Sequence, residues 1–274
     1  MNSNVNMNCS QHEPLSDGST VITNLPLKAL LATNRPTVLC FHGSGDGSAK
    51  LWVELIELLE NDSGYILFDR SSGVPSVTKH IHAVREYLST CHVPGPHILL
   101  AHSYGGTFAK QYLYQHREDV AGMVLVETGK SQEPTDIACH GPWNGGGARL
   151  SSRPLVVIRG NSLKANQRAL DQVDQATVGN TTPQTQVMAL QRRQMLVDAE
   201  RQDGVFEKTQ LQLSSRHKYV HLPDCGHNVI RDRPDVVKGE VEWVMDNLQA
   251  GNGVPPTNWI SRRMGWKIST SFRR

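Results

Sequence analysis

The sequence has no long hydrophobic run and no strong net charge. No apolar stretch among its 274 residues approaches the roughly 18–20 residues that a membrane-spanning helix needs. Lysine and arginine number 28 against 26 aspartate and glutamate residues, so the formal net charge is only +2. We therefore expect neither a membrane span nor a fold with a broad basic face for nucleic acid.

The cysteines form no recognisable motif. There are five of them, an odd number, and they are widely spaced without a C-x-x-C pair. This pattern predicts reduced thiols in a cytoplasmic protein and argues against a disulfide framework or a zinc site. No metal or other cofactor is expected. The cysteines are Cys9, Cys40, Cys91, Cys139 and Cys225.

The two ends differ from the region between them. Residues 1–20 have neither a basic start nor an apolar stretch, which predicts a disordered leader and not a secretory signal. Residues 251–274 hold five basic residues and no acidic one, which leaves 23 basic against 26 acidic residues in 1–250. This basic tail fits a solvated terminus. Because it also contains Trp259 and Trp266, it equally fits contact with an anionic membrane surface or with the acidic body.

Residues 21–250 read as one α/β domain. Short apolar segments alternate with helical periodicity, which is typical of a mainly parallel, doubly wound sheet with helices on both faces. Two longer connections, 128–153 and 161–216, are predicted to form a small lid, with one helix through Val187–Arg201. The predicted strands are Thr37–Phe41, Tyr65–Phe68, His97–Ala101, Met123–Val126, Leu155–Ile158 and Lys218–Leu222.

The most informative segment is His97–Lys110, with sequence HILLAHSYGGTFAK. An apolar strand runs directly into Ser103 and then into a helix, an arrangement that presents a serine on a sharp turn at the carboxyl end of a sheet. Ala101 and Gly105 are the small neighbours that such a turn needs two residues before and after the serine. The amide of Tyr104, at the helix N-terminus, would face an oxyanion.

Four segments in this order resemble the α/β-hydrolase family, over roughly Thr37 to Leu248. Residues 101–105 resemble the G-x-S-x-G nucleophile turn, with Ala101 for the first glycine. Residues 41–45 resemble the His-Gly turn that supplies a second oxyanion amide, here Ser44. Residues 68–76 resemble the family's D-x-R-G-x-G-x-S segment, and residues 222–234 resemble the passage that carries the catalytic histidine, here His227.

The resemblance implies a Ser–acid–His triad whose acid lies between Met123 and His227. The family most often places the acid shortly after the strand at 155–158, but residues 159–163 read RGNSL and contain no carboxylate. Glu127, directly after the preceding strand, is the favoured candidate, because a carboxylate at that edge gains from a histidine partner. Asp136, Asp171 and Asp174 stay open as alternatives.

The implied function is that of a cofactor-free serine hydrolase acting on a small ester, thioester or related acyl compound. Three alternatives use the same site: acyl transfer, C–C bond hydrolysis and a lyase reaction. A further alternative is a non-catalytic protein that binds a small ligand or a partner in the pocket, favoured by Ala101 and by the missing acid after the strand at 155–158. Trp143 is the one bulky candidate for a pocket wall.

Overall fold

The protein is described by a computed structural model for residues 12–23, 35–44, 48–59, 64–70, 76–128, 149–177 and 182–248. Its centre is a sheet of eight strands in the order β1-β2-β4-β3-β5-β6-β7-β8. Strands β3 to β8 pair in parallel, whereas β1 and β2 are antiparallel. The strands are β1 His12–Pro14, β2 Thr20–Thr23, β3 Val38–Phe41, β4 Tyr65–Asp69, β5 His97–His102, β6 Val120–Val126, β7 Leu155–Arg159 and β8 His217–His221.

Helices connect the parallel strands. In the described part of the chain, none of them is both long and apolar enough to cross a membrane. The connection at 161–216 contains two helices and not the single one predicted, because its first helix is too polar to be recognised from its periodicity. The helices are α1 Val53–Leu59, α2 Val77–Thr90, α3 Gly105–Gln115, α4 Lys164–Thr177, α5 Pro183–Thr209, α6 Val229–Asp232 and α7 Pro234–Asp246.

The apolar residues of the strands are buried on both faces of the sheet. On one face, α2 and α3 pack against alternate strand residues such as Leu39 and Leu99. On the other, α1, α6 and α7 cover the residues in between, such as Cys40 and Leu100. This arrangement explains why the strands read as continuous apolar runs. It confirms the predicted α/β class with a mainly parallel sheet.

The first two strands lie where the sequence predicted a disordered leader. Residues 12–20 form β1, a turn and the start of β2, and β2 pairs with β4. The turn is held by Asp17, whose carboxylate lies 2.7 Å from Nδ1 of the fully buried His80 in α2. This differs from the prediction because a short, polar edge strand has no apolar alternation to recognise. Residues 1–11 lie outside the described residues.

One cysteine departs from the expected reduced state. Cys91 is disulfide-bonded, and its partner lies outside the described residues. Cys40 and Cys225 are free and buried. Because disulfides are uncommon in reducing compartments, the prediction of reduced thiols is wrong for Cys91, and the cysteines no longer argue for a cytoplasmic location. Residues 129–148 of the predicted lid segment 128–153, with Trp143 and Asp136, and the basic tail also lie outside the described residues.

The Asp17–His80 contact predicts a stability effect with a defined pH dependence. Burial alone would raise the pKa of Asp17, but hydrogen bonds from His80 and Ser19 outweigh it and lower the pKa to about 2. The ionised carboxylate therefore stabilises the fold above pH 4, and this contribution is lost as the pH falls from about 4 towards about 2. Asp17→Asn should cost about 2 kcal/mol at pH 7 and lower Tm by about 5 °C.

Thermal unfolding followed by circular dichroism checks this expectation. The Tm deficit of Asp17→Asn should shrink below pH 4, where the wild type also loses the carboxylate. Asp119→Asn is the matched control, because it removes a half-exposed partner of Arg85 and such surface pairs contribute at most about 1 kcal/mol. Equal deficits in the two variants would contradict the anchoring role of Asp17.

Candidate active site

The carboxyl ends of the parallel strands meet at one edge of the sheet, which is where open parallel sheets bind their ligands. Polar side chains are concentrated there, immediately after the strands. The residues that follow β3 to β7 are His42, Arg70, Ser103, Glu127 and Gly160, and His227 lies in the loop after β8. This edge of the sheet therefore holds the candidate site.

Ser103 lies on a sharp turn between β5 and α3. Its φ angle is +54°, in the left-handed region that non-glycine residues rarely adopt. Its amide still donates to the carbonyl oxygen of Val126 at 2.9 Å, so the residue remains tied to the sheet while the chain turns into α3. The serine is thereby held at the edge, as the sequence predicted.

The small residues around the serine have distinct roles. A Cβ atom on Gly105 would lie 2.0 Å from the carbonyl oxygen of Phe41, so only glycine allows α3 to approach β3 this closely. Ala101, which replaces the first glycine of the motif, is fully buried among the apolar residues of the sheet. The sheet therefore accommodates its methyl group, and Ala101 gives no argument against a working turn.

His227 reaches back from the loop after β8 to the serine. Its Nε2 lies 2.9 Å from Ser103 Oγ, and its side chain is 42% exposed, so the pair is open to a ligand. The loop is fixed to the end of β7, because the amide of Asn161 donates to the carbonyl oxygen of Cys225 at 2.7 Å. Close backbone contact between Gly160 and Gly226 adds to this packing.

Glu127 occupies the other side of His227. Its Oε2 lies 3.0 Å from His227 Nδ1, and its side chain is 2% exposed. Like Ser103 it has a φ angle of +54°, and its amide donates to Ile158 at 2.9 Å. Nδ1 therefore donates to the carboxylate, which leaves Nε2 as the acceptor for the hydroxyl of Ser103.

The carboxylate of Glu127 is ionised in this setting. Burial on its own would raise the pKa of Glu127, but the hydrogen bonds from His227 and Ser162 outweigh it, and the pKa lies below its usual range. The amide of Gly160 contributes a third hydrogen bond, to Oε1, at 2.5 Å. A buried negative charge that accepts hydrogen bonds on both oxygens is well suited to orient an imidazole and to stabilise its charged form.

Arg70 holds the turn that follows β3. Its guanidinium donates to the carbonyl oxygens of His42 and Gly43, and it stacks at 3.9 Å over the ring of Phe108. His42 bonds within the same turn, through Nδ1 to the Gly43 carbonyl at 2.7 Å. The amide of Arg70 donates to His42 Nε2 at 2.8 Å. Burial and the nearby Arg70 lower the pKa of His42 to about 4, so this histidine is neutral.

His102 contacts the loop that carries His227. Its Nε2 donates to the backbone carbonyl of His227 at 2.9 Å, and the two rings lie 5.0 Å apart. Burial lowers the pKa of His102 to about 4, so it adds no positive charge beside His227. His42 and His102 are thus neutral, and both hydrogen-bond to backbone carbonyls beside the site.

The other candidate acids are not at the site or cannot be placed. Asp171 is exposed on α4 in an ion pair with Arg193, and in the described part of the chain it makes no contact with His227. Asp174 also belongs to α4, but its side chain is outside the described residues, as is the whole of Asp136. In the described part of the chain, Glu127 is the carboxylate that hydrogen-bonds His227.

Sequence reasoning missed two polar residues of this edge. Arg70 was part of the matched segment but was given no role, although a buried arginine directly after a strand signals a structural contact. Ser162 was mentioned only as part of the segment 159–163, which contains no carboxylate in its sequence. Within the described residues, no cluster of three or more His, Cys, Asp or Glu side chains could hold a metal ion.

Comparisons with known proteins agree with this architecture. The sequence profile of the alpha/beta hydrolase family matches residues 38–240. The esterase RhEst1 from Rhodococcus sp. ECU1013 is 17% identical with a TM-score of 0.50, over 87% of this chain and 98% of the esterase. A protein of unknown function from Agrobacterium tumefaciens is 16% identical with a TM-score of 0.50, over 86% of this chain and 94% of that protein. At such identities the likeness shows the fold alone.

A curated sequence relative is named "Probable transporter efuK", from Hormonema carpetanum. It is 21% identical over 226 residues, which make up 80% of this chain but only 30% of the relative. This chain thus spans about a third of that protein's length. Because the family profile covers most of the sequence, the chain belongs to the α/β hydrolase family.

The close approach at Gly105 predicts a large effect of a single methyl group. Gly105→Ala should lower the free energy of unfolding by about 3 kcal/mol or more, because its Cβ would overlap the backbone of β3. Urea denaturation measures the loss. The matched control is Gly239→Ala in α7, where nothing lies within 4 Å and alanine should stabilise the helix by up to about 1 kcal/mol. A Gly105→Ala protein as stable as the wild type would contradict the packing described here.

Proposed function

We propose that this protein is a serine hydrolase that cleaves an ester, thioester or related acyl compound. The observation that carries the proposal is the continuous line from Ser103 Oγ through both ring nitrogens of His227 to Glu127 Oε2, with donor–acceptor distances of 2.9 and 3.0 Å. A serine, a base and an orienting acid in this order form the arrangement that activates a hydroxyl as a nucleophile.

The reaction would proceed through an acyl-enzyme. Ser103 Oγ attacks the carbonyl carbon while its proton passes to His227 Nε2, and Glu127 stabilises the imidazolium that results. The tetrahedral intermediate collapses when His227 gives the proton to the leaving group and the bond to that group breaks. A water molecule, deprotonated by His227, then attacks the acyl carbon and releases the carboxylic acid and the free serine.

Two backbone amides would hold the oxyanion. The peptide between Gly43 and Ser44 turns its carbonyl towards Arg70, and the N–H of a trans peptide points the opposite way. A Cβ on Gly43 would lie 3.2 Å from Ser103 Cβ, so this peptide borders the nucleophile. These contacts support the amide of Ser44 as one donor. The amide of Tyr104, where α3 begins, is the other.

The geometry favours catalysis over simple ligand binding. The non-catalytic alternative gained most from the missing acid after β7, and Glu127 supplies a buried carboxylate from β6 instead. The positive φ angles of Ser103 and Glu127 also support a chemical role, since such strain is concentrated at functional sites. The helices α4 and α5 belong to the connection predicted as a lid, and we propose that they cover the substrate.

Covalent labelling tests the nucleophile. A fluorophosphonate probe should label the wild-type protein at Ser103, because the probe reacts with serines activated by a neighbouring base. Mass spectrometry locates the label, and Ser103→Ala should show none. A folded wild-type protein that stays unlabelled, or that is labelled at another serine, would refute the hydrolase proposal.

Replacing the acid tests Glu127. Glu127→Gln should slow fluorophosphonate labelling and ester hydrolysis by about 10³-fold or more, because an amide facing Nδ1 favours the wrong tautomer of His227. Rates with p-nitrophenyl acetate measure the effect. Glu240→Gln is the matched control and should retain activity. It changes a buried carboxylate of α7 that is paired with Lys218 in β8. Unchanged rates in Glu127→Gln would assign the acid to another carboxylate.

A further inference from the structure

A second hydroxyl-bearing residue, besides Ser103, contacts the pair formed by Glu127 and His227. Ser162 lies in the turn between β7 and α4, and its hydroxyl donates to Glu127 Oε2. The hydroxyl oxygen of Ser162 also lies 3.3 Å from His227 Nδ1. Oε2, Nδ1 and the Ser162 hydroxyl therefore form a compact triangle on the side of His227 away from Ser103.

The hydrogen atoms in this triangle have one consistent arrangement. Because Oε2 is a carboxylate oxygen, it accepts from both Nδ1–H and the hydroxyl of Ser162. Oε1 accepts separately from the amide of Gly160. Each oxygen of Glu127 therefore accepts a hydrogen bond from the turn after β7. Oε2 accepts from both His227 and Ser162, so its negative charge interacts with two donors.

Hydrogen bonds within the turn and from a neighbouring loop fix the backbone around Ser162. Asn161 accepts hydrogen bonds from the amide of Leu163 through its side chain, at 3.1 Å, and from that of Lys164 through its carbonyl, at 3.1 Å. The amide of Asn161 is bound in turn by the loop that carries His227, through Cys225. The backbone on both sides of Ser162 is thus held, which fixes its Cβ at a position from which the hydroxyl reaches Glu127.

We infer that Ser162 is a positioning residue for Glu127, and that through Glu127 it sets the pH at which Ser103 becomes reactive. The inference rests on the proposed function. A carboxylate that loses one hydrogen bond becomes more basic, so without Ser162 it stabilises the charged imidazole more strongly. His227 then keeps its proton to a higher pH, and the serine is activated later in a titration from acid to base.

The experiment follows the rate of fluorophosphonate labelling between pH 5 and pH 9, which requires no knowledge of the natural substrate. Ser162→Ala should move the midpoint of the acidic limb upward by about 0.5 to 1 pH unit, and lower the plateau rate about three- to tenfold because the carboxylate is held less firmly. Ser162→Thr keeps the hydroxyl and should restore both the midpoint and the plateau. Circular dichroism checks that the variants are folded.

The double variant tests whether Ser162 acts through the acid. In a Glu127→Gln background, Ser162→Ala should change the labelling rate less than twofold, since the carboxylate on which it acts is gone. Should Ser162→Ala fail to fold, Ser162→Cys keeps the volume, replaces the hydroxyl by a weak donor, and is expected to show the same upward shift.

Several results would overturn the inference. One is a Ser162→Ala profile that superimposes on that of the wild type. Another is an equal loss of rate in Ser162→Ala and Ser162→Thr without a shift, which would indicate packing alone. An undiminished effect of Ser162→Ala in the Glu127→Gln background would also exclude action through the acid. Failure of the proposed function is distinguishable, because the wild-type protein would then not be labelled at any pH.

Discussion

The left-handed backbone of two strand-end residues is the constraint on which the site depends. Ser103 and Glu127 both have a φ angle of +54°, a conformation that costs a non-glycine residue about 1–3 kcal/mol. Each is held there by an amide that donates to the next strand of the sheet, to Val126 and Ile158. Because β5, β6 and β7 are neighbours in register, the two turns place a hydroxyl and a carboxylate on the two sides of one imidazole. The sheet thus sets the distance between Ser103 and Glu127, and the loop after β8 places His227 between them.

The buried polar side chains next to the site hydrogen-bond mainly to backbone groups. Arg70 binds carbonyl oxygens of the turn after β3, and His102 binds the carbonyl of His227. Burial keeps His42 and His102 neutral, with pKa values of about 4, so the imidazole of His227 is not opposed by positive histidines beside it. Their hydrogen bonds fix peptide groups that lie close to Ser103 and His227. The site is accordingly surrounded by peptide groups that are oriented by the buried guanidinium of Arg70 and by the two neutral histidines.

The sequence predicts the centre of the fold better than its margins. The six parallel strands are recognisable because residues such as Leu39 and Leu100 are buried on opposite faces, which produces unbroken apolar runs. Ser103 and His227 follow from their turns and from the family motifs. The antiparallel edge strands, the polar helix α4 and the disulfide of Cys91 were missed, because none of them depends on a pattern along the chain. Arg70 and Ser162 act through contacts between distant segments, which only the folded structure brings together.

The position of the acid has a consequence for how this protein can diversify. Because Glu127 directly follows β6, the long crossover between β7 and β8 does not have to supply the carboxylate that binds His227. Its helices α4 and α5 are tied to the sheet by structural contacts such as the ion pair between Arg159 and Glu200. Most of this crossover can therefore change in sequence while Ser103, His227 and Glu127 keep their arrangement. The turn around Ser162 is where that freedom ends, since it is the part of the crossover that reaches the carboxylate.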